Sequence, residues 1–314
     1  MDAFVAQHLH GVSRTYALVV PMLPKPLDES VGLAYLLMRI VDTLEDATQL
    51  SSDERVQNLN RLDAALAGDA DAAEALAQPI GELETERALQ RQTPEVVRRV
   101  RALDSVDSDA IITCATAMGA GVRTLIERSA LRNQAYPAVR NLVELREYCY
   151  YVAGTVGEML CTMMAHHLRR PDFAKQRQRA VELGTGLQLV NILKDARSDA
   201  RQGRRYLPVI VAGEQQAAVY ESALHEARDC LRRGIDYVLA LPPDAPQLRA
   251  FCGLPIAWGA MTLGRAAVDP QAAKIDREAI HTSIATFAEL AADDAALRDW
   301  LSELLESPQT VTDC

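Results

Sequence analysis

The chain has 314 residues, of which 49% are hydrophobic and only 5% aromatic, and its formal net charge is −10. That supplies enough apolar material for a sizeable core, and the acidic balance argues against a nucleic-acid partner, which would want a basic face. A small anionic substrate is not excluded, because a metal ion can bridge acids to phosphates.

Ala, Leu, Arg, Asp and Glu dominate, residues that lose little freedom in a helix or cap one well. The opening "MDAFVAQHLHG" lacks the basic-then-apolar order of a signal peptide. Next, "DESVGLAYLLMRIVDTLEDA" predicts a helix that starts at Asp28, with Val31, Tyr35, Leu36 and Met38 on its apolar face. "SSDERVQNLNRLDAAL" opens with Ser and acids and spaces Val56, Leu59, Leu62 and Leu66 by three and four. Further helices are predicted over 83–92, 94–104, 107–130, 139–168, 174–200, 214–240, 246–267 and 282–306. Between them fall short breaks such as "RQTPE", "RRPDF" and "LPPDAPQ", all carrying Pro, Gly or Asp. No strand alternation and no repeat is found. The expectation is an all-α protein, one domain over 1–306, with 307–314 as a frayed tail. The run "AFCGLPIAWGAMTLG" falls short of the roughly 20 residues a spanning helix needs, so no transmembrane segment is expected. Six cysteines without a CxxC pair read as reduced, mostly buried thiols of a cytoplasmic protein.

Asp42, Glu45 and Asp46 fall at i, i+3 and i+4 of the first long helix, so Asp42 and Asp46 lie about 6 Å apart along one face. Like charges at that spacing repel, by roughly 0.2–0.5 kcal/mol on an exposed helix. A solvated helix end would relieve this, and so would a divalent cation. A second cluster favours the cation. In "LGTGLQLVNILKDARSDARQGRRYLP", Asp195 and Asp199 repeat the spacing, with Asn191 and Gln188 one and two turns before. Gln188, Asn191, Asp195 and Asp199 make a polar stripe among Leu187, Leu189, Val190, Ile192 and Leu193, and polar groups in such company need partners. Two such stripes facing each other across a bundle would hold Mg²⁺ shared with substrate phosphates. Arg39 precedes Asp42 by one turn, and Lys194, Arg204 and Arg205 flank the second cluster. Acids for metal and bases for phosphate suit removal of a diphosphate from an allylic carbon.

These stretches resemble the squalene/phytoene synthases, which join two prenyl diphosphates head to head. "SRTY" (Ser13, Arg14, Thr15, Tyr16) is similar to that family's N-terminal Ser-Arg/Lys-Ser-Phe, and "YLLMRIVDTLED" to its first aspartate-rich motif. "REYCYYVAGTVGEML" resembles its Tyr-Cys-x-x-Val-Ala-Gly-x-Val-Gly segment, and "QLVNILKDARSDARQGRRYLP" its second aspartate-rich motif. "FCGLPIAWGAMTL" and "KIDREAI" lean toward the squalene synthases, as does the Asp-Thr-Leu-Glu-Asp spelling of the first motif. Two departures stand in the second motif: Ser198 replaces a Glu, and Lys194 replaces the Arg before the first Asp.

The resemblance implies an isoprenoid-synthase helical bundle with a central cleft. It implies that Asp42, Asp46, Asp195 and Asp199 hold Mg²⁺ or Mn²⁺, with Glu45 and Asn191 in support. Arg39, Lys194 and Arg204 would bind diphosphate, in a pocket that Ser13, Arg14, Thr15, Tyr35, Gln188 and Tyr206 help to line. Tyr148 would handle a proton or stabilise a cation, and Phe251 would shield a second cation from water; either could equally be plain core. Val152, Ala153 and Gly157 would leave room for prenyl tails. The substrate would be farnesyl diphosphate, coupled through presqualene diphosphate and reduced to squalene by NADPH, which Lys274 and Arg277 would contact. Products of related enzymes (presqualene diphosphate, dehydrosqualene, hydroxysqualene or phytoene) remain open, as does a non-catalytic helical scaffold. Loose membrane association is expected for product release. His166 and His167, being adjacent on a helix, point about 100° apart and make a poor chelate. Gly184–Gly186 reads as a close helix contact rather than a phosphate loop.

Overall fold

Helix-forming composition and periodic apolar faces give a chain of helices joined by short capped turns. The computed structural model describes residues 1–208, 214–268 and 274–306, and no strand is assigned among them. The helices are α1 (Ala3–Val12), α2 (Tyr16–Val19), α3 (Leu27–Asp46), α4 (Ser52–Ala67), α5 (Ala70–Ala75), α6 (Glu84–Gln90), α7 (Thr93–Arg101) and α8 (Ser105–Leu131). They continue as α9 (Leu142–Cys149), α10 (Thr155–His167), α11 (Arg177–Arg201), α12 (Glu214–Ala240), α13 (Pro246–Val268), α14 (Arg277–Leu290) and α15 (Asp294–Glu306). The 307–314 tail and Cys314 lie outside the described residues.

Within the span expected as one domain, packing defines two compact units. One comprises Met1–Ala138 with Met159–Ala174, the other Val139–Glu158 with Lys175–Cys314. In the first unit, α3 packs on α1, α7 and α8, and α4 on α8. Local chemistry sets the ends. Ser51 and Glu54 form a capping box at α4, and Gly68 closes that helix at φ +115, a left-handed conformation that glycine adopts without strain. Asp28 does not cap α3; Pro26 holds that position, and Asp28 is buried in the first turn, paired with the N-terminal ammonium. Arg55, 1% exposed, donates to the carbonyls of Ala47, just past α3, and Ala135. His166 and His167 pair with separate acids at the start of α8, its N-cap Asp104 at 3.2 Å and Asp107 at 2.9 Å, so the two rings do not converge.

In the second unit, α11 packs on α12 and α13, and α13 on α15. Tyr150–Gly154 is a π-helical turn between α9 and α10, which the expected continuous helix over 139–168 did not include. A Cβ on Gly157 would stand 2.1 Å from the Ala180 carbonyl, and one on Gly184 would stand 2.1 Å from the Ala153 carbonyl. Backbone thus meets backbone where α10 and the π turn cross α11, as read for Gly184–Gly186. The predicted helix over 282–306 is two helices, broken before Asp294. Buried Arg249 fills that corner, donating to the carbonyls of Leu241 and Ala291 and pairing with Asp294 at 2.7 Å.

Among the described residues one helix, α8, is long and apolar enough to cross a membrane by length and composition. Half of its most apolar window is buried inside the protein, as in the core helix of a globular unit. The five described cysteines, Cys114, Cys149, Cys161, Cys230 and Cys252, are buried thiols. Burial pushes Cys149 upward and Cys230 up to about 12, aided for Cys230 by Glu182.

Candidate active site

From Ser30 to Ala47, every residue of α3 and its cap is buried except four: Tyr35, Arg39, Asp42 and Asp46. Spaced by four, three and four, they form one stripe along the helix. The stripe exists because Leu33, Leu36, Leu37, Ile40, Val41 and Leu44 claim the rest of the surface for the core. Arg39 lies 3.7 Å from Asp42 and 2.5 Å from Glu86 of α6. Asp42 is pushed up to about 6, first by burial and then by Asp46 and Glu86, with Arg39 opposing. Its side chain still keeps 39% exposure, so solvent and ligands reach the carboxylate. Glu45, expected as a supporting ligand, is off the stripe and buried. Ser13 ends α1, accepts from the Tyr16 amide and hydrogen-bonds with Tyr35, whose phenol burial pushes upward. The rings of Tyr16 and Tyr35 lie 5.1 Å apart. Arg14 and Thr15 are exposed.

In the second unit, α11 buries Leu189, Val190, Ile192 and Leu193 and leaves Gln188, Lys194, Asp195 and Asp199 half-buried and Asn191 exposed. The polar stripe therefore runs along an accessible face. Lys194 donates to Asn191 at 3.3 Å and lies 3.3 Å from Asp195. Arg204 pairs with Asp199 at 3.2 Å, and Ser198 is exposed. Tyr148 is buried and stacks on Tyr206, with centroids 4.9 Å apart and planes within 14°. The loop bearing Tyr206 is tied down by the Val139 amide, which donates to the Arg205 carbonyl at 2.8 Å. Val152 is buried and Ala153 half-buried. Gly157 gives its missing side chain to the α11 backbone. Phe251 is buried on α13. Lys274 and Arg277 are exposed, and the Lys274 carbonyl accepts from Arg265. A separate cavity of about 810 Å³ is lined by Arg146, Tyr150, Glu182 and Glu226, and by none of the expected site residues.

A family model described as "Squalene/phytoene synthase" matches residues 9–284. The chain belongs to this family. Among its relatives are the squalene synthase of Schizosaccharomyces pombe, 27% identical over 82% of this chain and 58% of that protein, and the human squalene synthase, 26% identical over 82% and 61%. The squalene synthase of Bos taurus is 27% identical over 64% of this chain and 45% of that protein. The chain thus spans roughly half the length of these relatives. Two solved structures, described as complexes of TcSQS with the ligands BPH1237 and E5700, share the fold. Their TM-scores are 0.78 and 0.70, at 20% and 21% identity, over 99% and 98% of this chain and 93% and 98% of theirs. An all-α isoprenoid-synthase fold is thereby established.

The two acidic stripes each present a carboxylate pair at helical spacing with a basic side chain close by. Among the described residues no three His, Cys, Asp or Glu groups converge into a ready-made metal cage. Pairs suit Mg²⁺, which usually takes one or two carboxylates and completes its shell with water and substrate phosphate. The exposed Lys274 and Arg277 show no feature that would select a nicotinamide cofactor over solvent. Glu86 carries no signal in the sequence, where "GELETER" reads as an ordinary charged helix start.

Proposed function

We propose that this protein couples two molecules of farnesyl diphosphate head to head, through presqualene diphosphate, to give squalene with NADPH as reductant. The observation that carries the reading is the α3 stripe, in which only Tyr35, Arg39, Asp42 and Asp46 escape burial between Ser30 and Ala47. The Asp195 and Asp199 stripe supports it, as does membership of the family. Mg²⁺ or Mn²⁺ held by each aspartate pair would neutralise diphosphate oxygens and ease their departure. Arg39 would donate hydrogen bonds to diphosphate oxygens at the first pair, and Lys194 and Arg204 at the second, with Asn191 and Gln188 beside them. Tyr148, braced by Tyr206, offers a ring face to an allylic cation and a phenol for proton transfer. Phe251 keeps water from the second cation, which would otherwise end as an alcohol. Lys274 and Arg277, both exposed, carry no part of the reductive step. Their exposure, with Ser198 in the second motif, supports a second reading in which the product is presqualene diphosphate, dehydrosqualene, hydroxysqualene or phytoene.

The test is product analysis after incubation with farnesyl diphosphate and Mg²⁺, with and without NADPH, and with geranylgeranyl diphosphate as the alternative substrate. Squalene that requires NADPH is expected. A product unchanged by NADPH supports the second reading. Absence of any coupled product, together with absence of Mg²⁺-dependent binding of a diphosphate analogue, would leave the helical scaffold. We place the protein in the cytoplasm, loosely associated with membrane; recovery only in the integral membrane fraction would contradict this.

A further inference from the structure

Arg39 is held by a group that no sequence motif marks. Its Nη2 donates to Glu86 Oε1 at 2.5 Å, its Nη1 stands 3.7 Å from Asp42 Oδ2, and its Nε is buried without a hydrogen-bond partner. The fork is therefore oriented through its Nη ends. Glu86 is itself fixed: Oε2 accepts the backbone amides of Glu82 and Leu83, each at 3.0 Å. The loop behind it is clamped as well. Arg87 donates to the carbonyls of Gly81 and Glu82. Gly81 sits at φ +122, where a Cβ would stand 2.8 Å from Glu86 Cβ and 3.2 Å from Thr43 Cγ2 on α3.

We propose that Glu86 is a positioning residue that holds Arg39 off Asp42, leaving the Asp42 carboxylate open to a metal ion and the guanidinium aimed for diphosphate. This rests on the reading of α3 as a diphosphate-binding helix and adds the residue that keeps it open. With Glu86 in place the Arg39–Asp42 ion contact stays at 3.7 Å; without a better acceptor this i, i+3 pair would close to a hydrogen-bonded one. Such a pair would neutralise the carboxylate a cation must find and occupy the donors a phosphate must find. Glu86, 12% exposed and anchored to backbone, offers a short charge-assisted bond that outcompetes the loose contact to Asp42.

The experiment compares the unsubstituted protein with Glu86→Gln, Glu86→Asp, Arg39→Ala and the Arg39→Ala/Glu86→Gln pair. It reads thermal midpoint, Mg²⁺ half-saturation and calorimetric binding of a non-hydrolysable farnesyl thiodiphosphate. Glu86→Gln keeps an oxygen for the two amides but loses the charge. It is expected to raise the analogue Kd and the Mg²⁺ half-saturation by about tenfold with the midpoint nearly unchanged. Glu86→Asp should fall between, and in the Arg39→Ala background Glu86→Gln should add nothing. Unchanged Kd and Mg²⁺ dependence in Glu86→Gln, losses that merely follow a fallen midpoint, or additive losses in the double variant would each overturn the proposal. Failure of the unsubstituted protein to bind the analogue with Mg²⁺ overturns the reading of α3 itself, and is seen before any substitution is compared.

Discussion

Asp42 is where partial burial and function pull against each other. Burial, Asp46 and Glu86 push its carboxyl up to about 6 from 3.8, so ionising it costs the metal-free folded state. Because the folded value is the higher one, the folded protein binds the extra proton between pH 3.8 and about 6, and stability falls as pH rises through that window. We predict that Asp42→Asn removes this slope in EDTA and leaves the thermal midpoint unchanged or higher. Turnover with Mg²⁺ should fall by at least ~100-fold, since one of two carboxylates for the cation is gone. A midpoint lowered by several degrees, with activity falling in parallel, would show Asp42 to be structural instead. Spacing alone put Asp42 and Asp46 on one face with Arg39 a turn before; Tyr35, which the periodicity assigned to the apolar face, joined them only through the resemblance. The counter-ion Glu86, 47 residues further along, was not legible.

At the scale of elements, the contact of α10 and the π turn with α11 is a close backbone approach. Gly157→Ala would drive a methyl group into the Ala180 carbonyl. We predict a loss of about 1–3 kcal/mol or more, read from chemical denaturation; unchanged stability would mean the helices separate without penalty. Beside this contact, buried Glu182 accepts from Arg146 at 3.0 Å, from Arg233 at 3.1 Å, from Gln178 at 3.1 Å and from the Cys230 thiol at 3.2 Å. Burial alone would raise its carboxyl. Cys230 and the two arginines outweigh that and hold it below 4.5. Its contribution is therefore full above pH 4.5 and is lost as pH falls through the lower folded-state value. Glu182→Gln is expected to flatten the acid limb of a stability–pH curve while lowering stability near neutrality. An acid limb identical to that of the unsubstituted protein would refute this. Gly184 announced a close helix crossing, whereas Gly157, expected to leave room for prenyl tails, instead meets the α11 backbone; the π turn gave no notice, since one extra residue in a turn leaves composition and periodicity almost intact.

For the molecule as a whole, a net charge of −10 disfavours a free diphosphate unless a cation accompanies it. We predict that a prenyl diphosphate analogue raises the thermal midpoint only with Mg²⁺ present. At 100 times its Kd the stabilisation should be about 2.7 kcal/mol. A rise of equal size in EDTA would show that the basic side chains suffice. Composition, period and break residues determined the helical class, and the spelling of four local motifs determined the family, because each is written in one short contiguous stretch of chain. Tertiary structure alone decided which stripe residues stay accessible, that Glu45 turns inward, that Tyr148 stacks on Tyr206 across 58 positions of chain, and that Glu86 secures Arg39. Those outcomes depend on which helices touch. That is set by side-chain packing between distant segments, which local periodicity does not encode.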